Sequence, residues 1–149
     1  MDTIWLTGAQ WLAVLRVGVG LWWLESWRHK DKKGWFERGT GIAWAADVAA
    51  KHRWNAVRSG FQTVVAPRPR TMAYVVVYAE LAVGLGLVVG FLTPVALLGG
   101  LALNALYFAL MIHDWAEQGQ NAMMALISAV ALFAMSWQTW SVDSALGLF

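Results

Sequence analysis

Apolar residues run along this chain in four long blocks, residues 4–27, 72–92, 94–113 and 122–140. Each comes close to the ~20 residues a helix needs to cross ~30 Å of hydrocarbon. Two of the connections are short. Phe91-Leu92-Thr93 reads as a tight turn, with Thr93 as the N-cap and Pro94 at the first position of the next helix, and residues 114–121 form the other. The pattern predicts an all-α fold, an integral membrane four-helix bundle in a single domain spanning residues 1–149. It contains no internal repeat.

The long polar stretch, residues 28–70, has its own periodicity. Trp54, Val57, Phe61, Val64 and Val65 recur at helical spacing, with Asn55, Arg58, Ser59 and Gln62 on the opposite side. This describes an amphipathic helix lying on a membrane surface. The same residues would suit a docking platform for another subunit. A shorter helix is expected over residues 42–50, and Pro67-Arg68-Pro69-Arg70 forms a stiff approach to the second span.

Composition sharpens the membrane reading, because 59% of the 149 residues are hydrophobic and only 13% charged. Net charge is +2, yet ten of the eleven basic residues lie between Arg28 and Arg70, against Asp31, Glu37 and Asp47. A basic patch can bind nucleic acid, but this one joins two apolar blocks, so the positive-inside rule accounts for it and no nucleic-acid partner is expected. The loop is then cytoplasmic and both termini lie outside, with the lipid bilayer as first partner. Trp5, Trp11, Trp137 and Trp140 fall toward the outer ends of the spans, and Trp22, Trp23, Trp27 and Trp115 toward the inner ends, as interfacial aromatic belts do. Met1-Asp2-Thr3 lacks the basic start of a signal peptide, so the first block is expected to stay as a span. The absence of Cys removes disulfides, thiol relays and thiolate metal sites.

Within these blocks, charge is costly unless it is paired. Counted from the loop-side ends of their spans, Arg16 lies 11 residues deep, Glu80 8 and Asn104 9, a spread of roughly 4.5 Å at ~1.5 Å per residue. The three therefore read as one polar layer, with Arg16 paired to Glu80, and Ser128 approaching from the fourth span. Such a layer either fixes the order of the helices or meets a polar ligand head, such as a quinone carbonyl, near Tyr78 and Tyr107. Arg16, Glu80 and Asn104 are the candidate cofactor-binding residues. Glu25 is close enough in sequence to pair with Arg28. No His pair shares a helix at metal-ligand spacing, and no nucleophile triad, phosphate loop or dinucleotide fingerprint is present.

Three separated blocks carry a family resemblance. Leu15-Arg16-Val17-Gly18-Val19-Gly20-Leu21, Tyr78-Ala79-Glu80-Leu81-Ala82-Val83-Gly84-Leu85-Gly86-Leu87 and Gly90-Phe91-Leu92-Thr93-Pro94 resemble the DoxX family of small four-helix membrane proteins, which includes the DoxD subunit of thiosulfate:quinone oxidoreductase. The ending, Gly119-Gln120-Asn121 and then Trp140-Ser141-Val142-Asp143, is similar too. The family's first-span arginine and second-span glutamate map onto Arg16 and Glu80. The long basic insertion between the first two spans departs from the family's compact pattern. The resemblance implies an accessory subunit of a respiratory or photosynthetic redox complex in a bacterial or archaeal cytoplasmic membrane, with quinone as cofactor and other membrane or extrinsic subunits as partners. A catalytic quinone-reducing oxidoreductase subunit and a small proton-coupled transporter are the alternatives.

Overall fold

The computed structural model describes residues 5–149, and among them the chain is helical with no strand. Met1–Ile4, including the predicted start of the first span, lie outside the described residues. Four long helices, α1 (Gly8–His29), α4 (Pro69–Val89), α5 (Thr93–Leu110) and α6 (Trp115–Phe133), pack in a ring in which α1 and α5 each touch both α4 and α6. Three short α-helices, α2 (Thr40–Ala50), α3 (Asn55–Gly60) and α7 (Val142–Leu146), two π-helical turns, Gly34–Arg38 and Phe61–Val65, and a 3-10 turn, Ser136–Gln138, complete the fold. Residues 30–68 gather at one end of the ring, the loop end. Residues 134–149 close the other, the tail end.

Local chemistry sets the boundaries. Thr7 and Gln10 form a reciprocal capping box at the start of α1, and Arg28 and His29 sit in its last turn, where cations favour the helix dipole. Pro69 opens α4, and Gly90, at φ 71°, ends it in the left-handed region that only glycine enters cheaply. Thr93 does not cap α5. Leu92 holds that position at φ 49°, and the N–H groups of Leu92 and Thr93 donate instead to the Asp143 carboxylate, at 2.8 and 2.7 Å. A distant carboxylate outcompetes the local hydroxyl because it accepts from two N–H groups at once and brings negative charge to the positive helix end.

The fourth long helix also differs from expectation. Asp114 caps it, accepting from Ala116 and Glu117, so residues 115–121 are helix rather than connection. Gln118, Gln120 and Asn121 look like loop residues in sequence; in the fold Asn121 is buried. The helix stops at Phe133, and Met135 turns into the left-handed region at φ 52°, so residues 134–140 are not part of a span.

The core is largely apolar but takes in several polar groups, and many large apolar side chains face outward. Arg16, Glu80, Asn104 and Ser128 are fully buried, whereas Val75, Leu85, Val95, Leu98, Leu126 and Phe133 point outward, Phe133 at 84% exposure. Helices α4 and α5 are long and apolar enough to cross a membrane. The ring is tight between α1 and α4. A Cβ on Gly20 would sit 2.9 Å from the Cβ of Leu87, and one on Gly84 2.8 Å from the Cγ of Leu24, so both glycines are needed for contact.

At the loop end, the expected shorter helix is α2 (Thr40–Ala50), and the expected amphipathic one is α3, continued by a π-helical turn at Phe61–Val65. Phe61 is buried with Ala45, Ala49 and Leu110, which fastens this layer to α5, while Trp54 and Val64 remain exposed. Buried His52 makes the second tie: its Nε2 lies 2.8 Å from the Ala109 carbonyl and its Nδ1 accepts from the Trp54 N–H at 3.0 Å. These partners fix the neutral tautomer with the proton on Nε2.

Candidate functional site

Arg16 and Glu80 do not pair. They are drawn to opposite ends of the bundle, and the cause is side-chain direction. The Cα–Cβ bond of a helical residue tilts toward the helix N-terminus. Helix α1 begins at the tail end and α4 at the loop end, so two charges at similar backbone depth lean apart.

Arg16 reaches the tail end. Its Nη1 donates to the carbonyls of Ser136 at 2.8 Å and Thr139 at 3.3 Å, and its Nη2 to that of Trp140 at 2.6 Å. One planar guanidinium thus gathers the irregular segment after α6, a task suited to its fixed fork of donors. Asp143 completes the clasp through the N-terminus of α5, and its own N–H donates to the Gly90 carbonyl at 2.9 Å.

Glu80 turns to the loop end. Its Oε1 accepts from the Tyr107 hydroxyl at 2.7 Å, and its Oε2 pairs with the Lys30 ammonium and lies 3.5 Å from Ser26 Oγ. Lys30, just past the end of α1, also donates to Ser26 Oγ at 3.1 Å and lies 5.2 Å from the centre of the Trp35 ring. Every carboxylate oxygen therefore has a donor, which is what keeps a fully buried charge tolerable.

This cluster forms part of the wall of a cavity of about 320 Å³. Trp22, Trp23, Trp35 and Trp44 supply flat apolar walls, and Asn121, Gln120 and Glu117 of α6 bring polar groups to the rim. The mixture suits a ligand with a ring and a few polar atoms. A larger depression of about 880 Å³ between α4 and α5, lined by residues such as Ala82, Gly86 and Gly99, carries almost no polar atoms to orient a ligand.

Asn104 is fully buried on α5, one turn from Tyr107 toward the tail end, and neither its amide N–H nor its carbonyl has a partner. The Trp23 indole N–H and the Ser128 hydroxyl are likewise unpaired. Of the three residues expected in one layer, Glu80 and Asn104 thus stand in neighbouring levels at the loop-end half of the bundle, and Arg16 is removed to the other. Tyr78, expected nearby, is exposed and stacks on Phe36 instead. Glu25 and Arg28 pair as expected, at 2.7 Å on the surface.

Sequence reasoning missed Lys30 as the partner of Glu80. A signal was available: Lys30 is the first residue beyond α1, at the end toward which a glutamate on an antiparallel helix must lean. The role of Asp143 carried no comparable signal, since its partners are backbone N–H groups some fifty residues away. No family model matches the chain, and no curated protein or solved structure matches it.

Proposed function

We propose that this chain is a DoxX-like integral membrane protein, a four-helix bundle with its loop end in the cytoplasm, serving as an accessory subunit of a respiratory or photosynthetic redox complex. Its loop-end cavity receives the head of a quinone. The observation that carries this reading is the cavity itself: four tryptophans around a buried carboxylate, with Trp23 keeping an unpaired N–H. A quinone ring stacks on such walls, and its carbonyls accept but do not donate, so they suit unpaired donors rather than Glu80, whose oxygens are already satisfied. Support for the membrane part comes from outward-facing apolar side chains on the long helices and from the basic loop gathered at one end.

The experiment is purification in mild detergent with quinone content and co-purifying subunits measured together. Asn104→Leu, which removes an unpaired amide at similar bulk, is expected to lower quinone retention and leave assembly intact. Trp54→Gln, on the exposed side of the loop layer, is expected to loosen partner subunits and leave quinone in place. A native protein that retains no quinone, with Asn104→Leu silent and Trp54→Gln disruptive, identifies a scaffold without a ligand pocket. Topology is checked by single cysteines replacing Ser59 and Ser144 in this cysteine-free chain, which an impermeant reagent must label from opposite faces.

A further inference from the structure

We infer that a hydrated inlet leads from the loop-end cavity up to Asn104 and Ser128 and ends blind against Val19, Leu87 and Leu97, so that water and protons reach Glu80 from one face only. The inference rests on the membrane part of the proposed function and is independent of quinone.

The argument follows the buried faces of the helices level by level. Lowest is the cavity level, with Lys30, Ser26, Glu80, Tyr107 and Asn121. One turn farther from the loop end come Asn104 on α5, three residues from Tyr107, and Ser128 on α6, four residues beyond the cavity-lining Met124. Trp23 bridges the two levels. Its ring centre lies 6.2 Å from that of Tyr107, while a Cβ on Gly100, one turn beyond Asn104, would sit 3.3 Å from its Nε1. The indole therefore spans the height of Asn104 while also lining the cavity.

The second level and the turn just beyond it hold four unpaired polar atoms within fully or almost fully buried side chains: both amide atoms of Asn104, the Ser128 hydroxyl and, beside Gly100, the Trp23 N–H. Unpaired groups of this kind are rare in folded proteins, and inside hydrocarbon they are costlier still. A site with several donors and acceptors beside a polar cavity is where buried water binds, each molecule making two to four hydrogen bonds. Asn104 alone offers two donors and a two-lone-pair acceptor.

Above this level the polar character stops. Val19, Leu87, Leu97 and Ala131, all at 5% exposure or less, form the apolar part of the core beyond Asn104 and Ser128, and polar groups reappear past them at Arg16, Thr93 and Ser136, each of which also keeps an unpaired buried atom. That layer offers water no partner, and the Arg16 charge beyond it opposes the passage of a cation. A through-path for protons is thereby closed in this conformation.

The test uses the full chain in oriented proteoliposomes, with single cysteines replacing Ser128 and Ala131 and a small impermeant thiosulfonate as probe. Ser128→Cys is expected to be modified from the loop side only, and Ala131→Cys to be protected on both sides. Modification of Ser128→Cys from the tail side, or its protection from both sides while Glu25→Cys at the loop end reacts, overturns the inlet. Failure of the topology pair at Ser59 and Ser144 instead marks failure of the membrane reading. Should the cysteine variants not fold, the unsubstituted protein in nanodiscs is labelled with ¹⁵N-tryptophan. Water magnetisation is expected to reach the Trp23 Nε1–H, assigned by its loss in Trp23→Phe, and no transfer to that proton overturns the inference.

Discussion

The two ends of the bundle solve the same problem by different means. Each buries a charge from a long helix, but the tail end holds Arg16 through three backbone carbonyls, its Nε left without a partner, while the loop end holds Glu80 with side chains from two segments, Ser26 and Lys30 at the end of α1 and Tyr107 on α5. Backbone partners are fixed by the path of the chain, so the tail end is a structural clasp. Side-chain partners can change rotamer, and Lys30, with 13% of its side chain exposed, can reach solvent. The loop end is therefore the half that can adapt to a ligand, and it is also the half with the aromatic cavity.

The sharpest way to break this contrast is at Arg16. Arg16→Leu strands three carbonyls and releases the segment after α6, and unfolding in detergent is expected to show a loss of roughly 3–5 kcal/mol, since each buried carbonyl left without a donor costs ~1–3 kcal/mol. Arg16→Lys recovers only part, since an ammonium cannot reproduce the fork. Asp143→Ala removes both acceptors at the start of α5 and is expected to cost about 2 kcal/mol. At the loop end the losses are smaller. Glu80→Gln keeps an acceptor for Tyr107 and leaves Lys30 free to turn to water, for about 1–2 kcal/mol, and Tyr107→Phe removes one hydrogen bond for about 1 kcal/mol. Equal losses at the two ends would erase the distinction between clasp and adaptable site.

Much of the helical frame is legible in the sequence because it rests on apolar block length; the end signals at Thr7–Gln10, Pro69 and Gly90 went unread, so α4 begins and ends three residues before the predicted span. Two errors share a cause. Thr93 as a cap and Arg16 as the partner of Glu80 were read from position along the chain, whereas each was decided by a side chain arriving from elsewhere or leaning away; residues 114–121 as a connection overlooked a local signal, the Asp114 cap. Glu80 and Asn104 were singled out, and are buried as expected, because polar residues stand out in apolar blocks. Of the surroundings of Glu80 only Tyr107 was anticipated, since Lys30, Trp35 and Trp44 come from the basic stretch, whose helical periodicity does not tell how it packs on α4 and α5.

The central claim is that the two buried charges belong to separate sites, and paired double-mutant cycles read by unfolding free energy test it most directly. Combining Lys30→Met with Glu80→Gln is expected to depart from additivity by about 1 kcal/mol or more, as contacting residues do, while Arg16→Leu with Glu80→Gln adds within ~0.5 kcal/mol. Strong coupling between Arg16 and Glu80, with Lys30 and Glu80 additive, would contradict the account and restore a single polar layer.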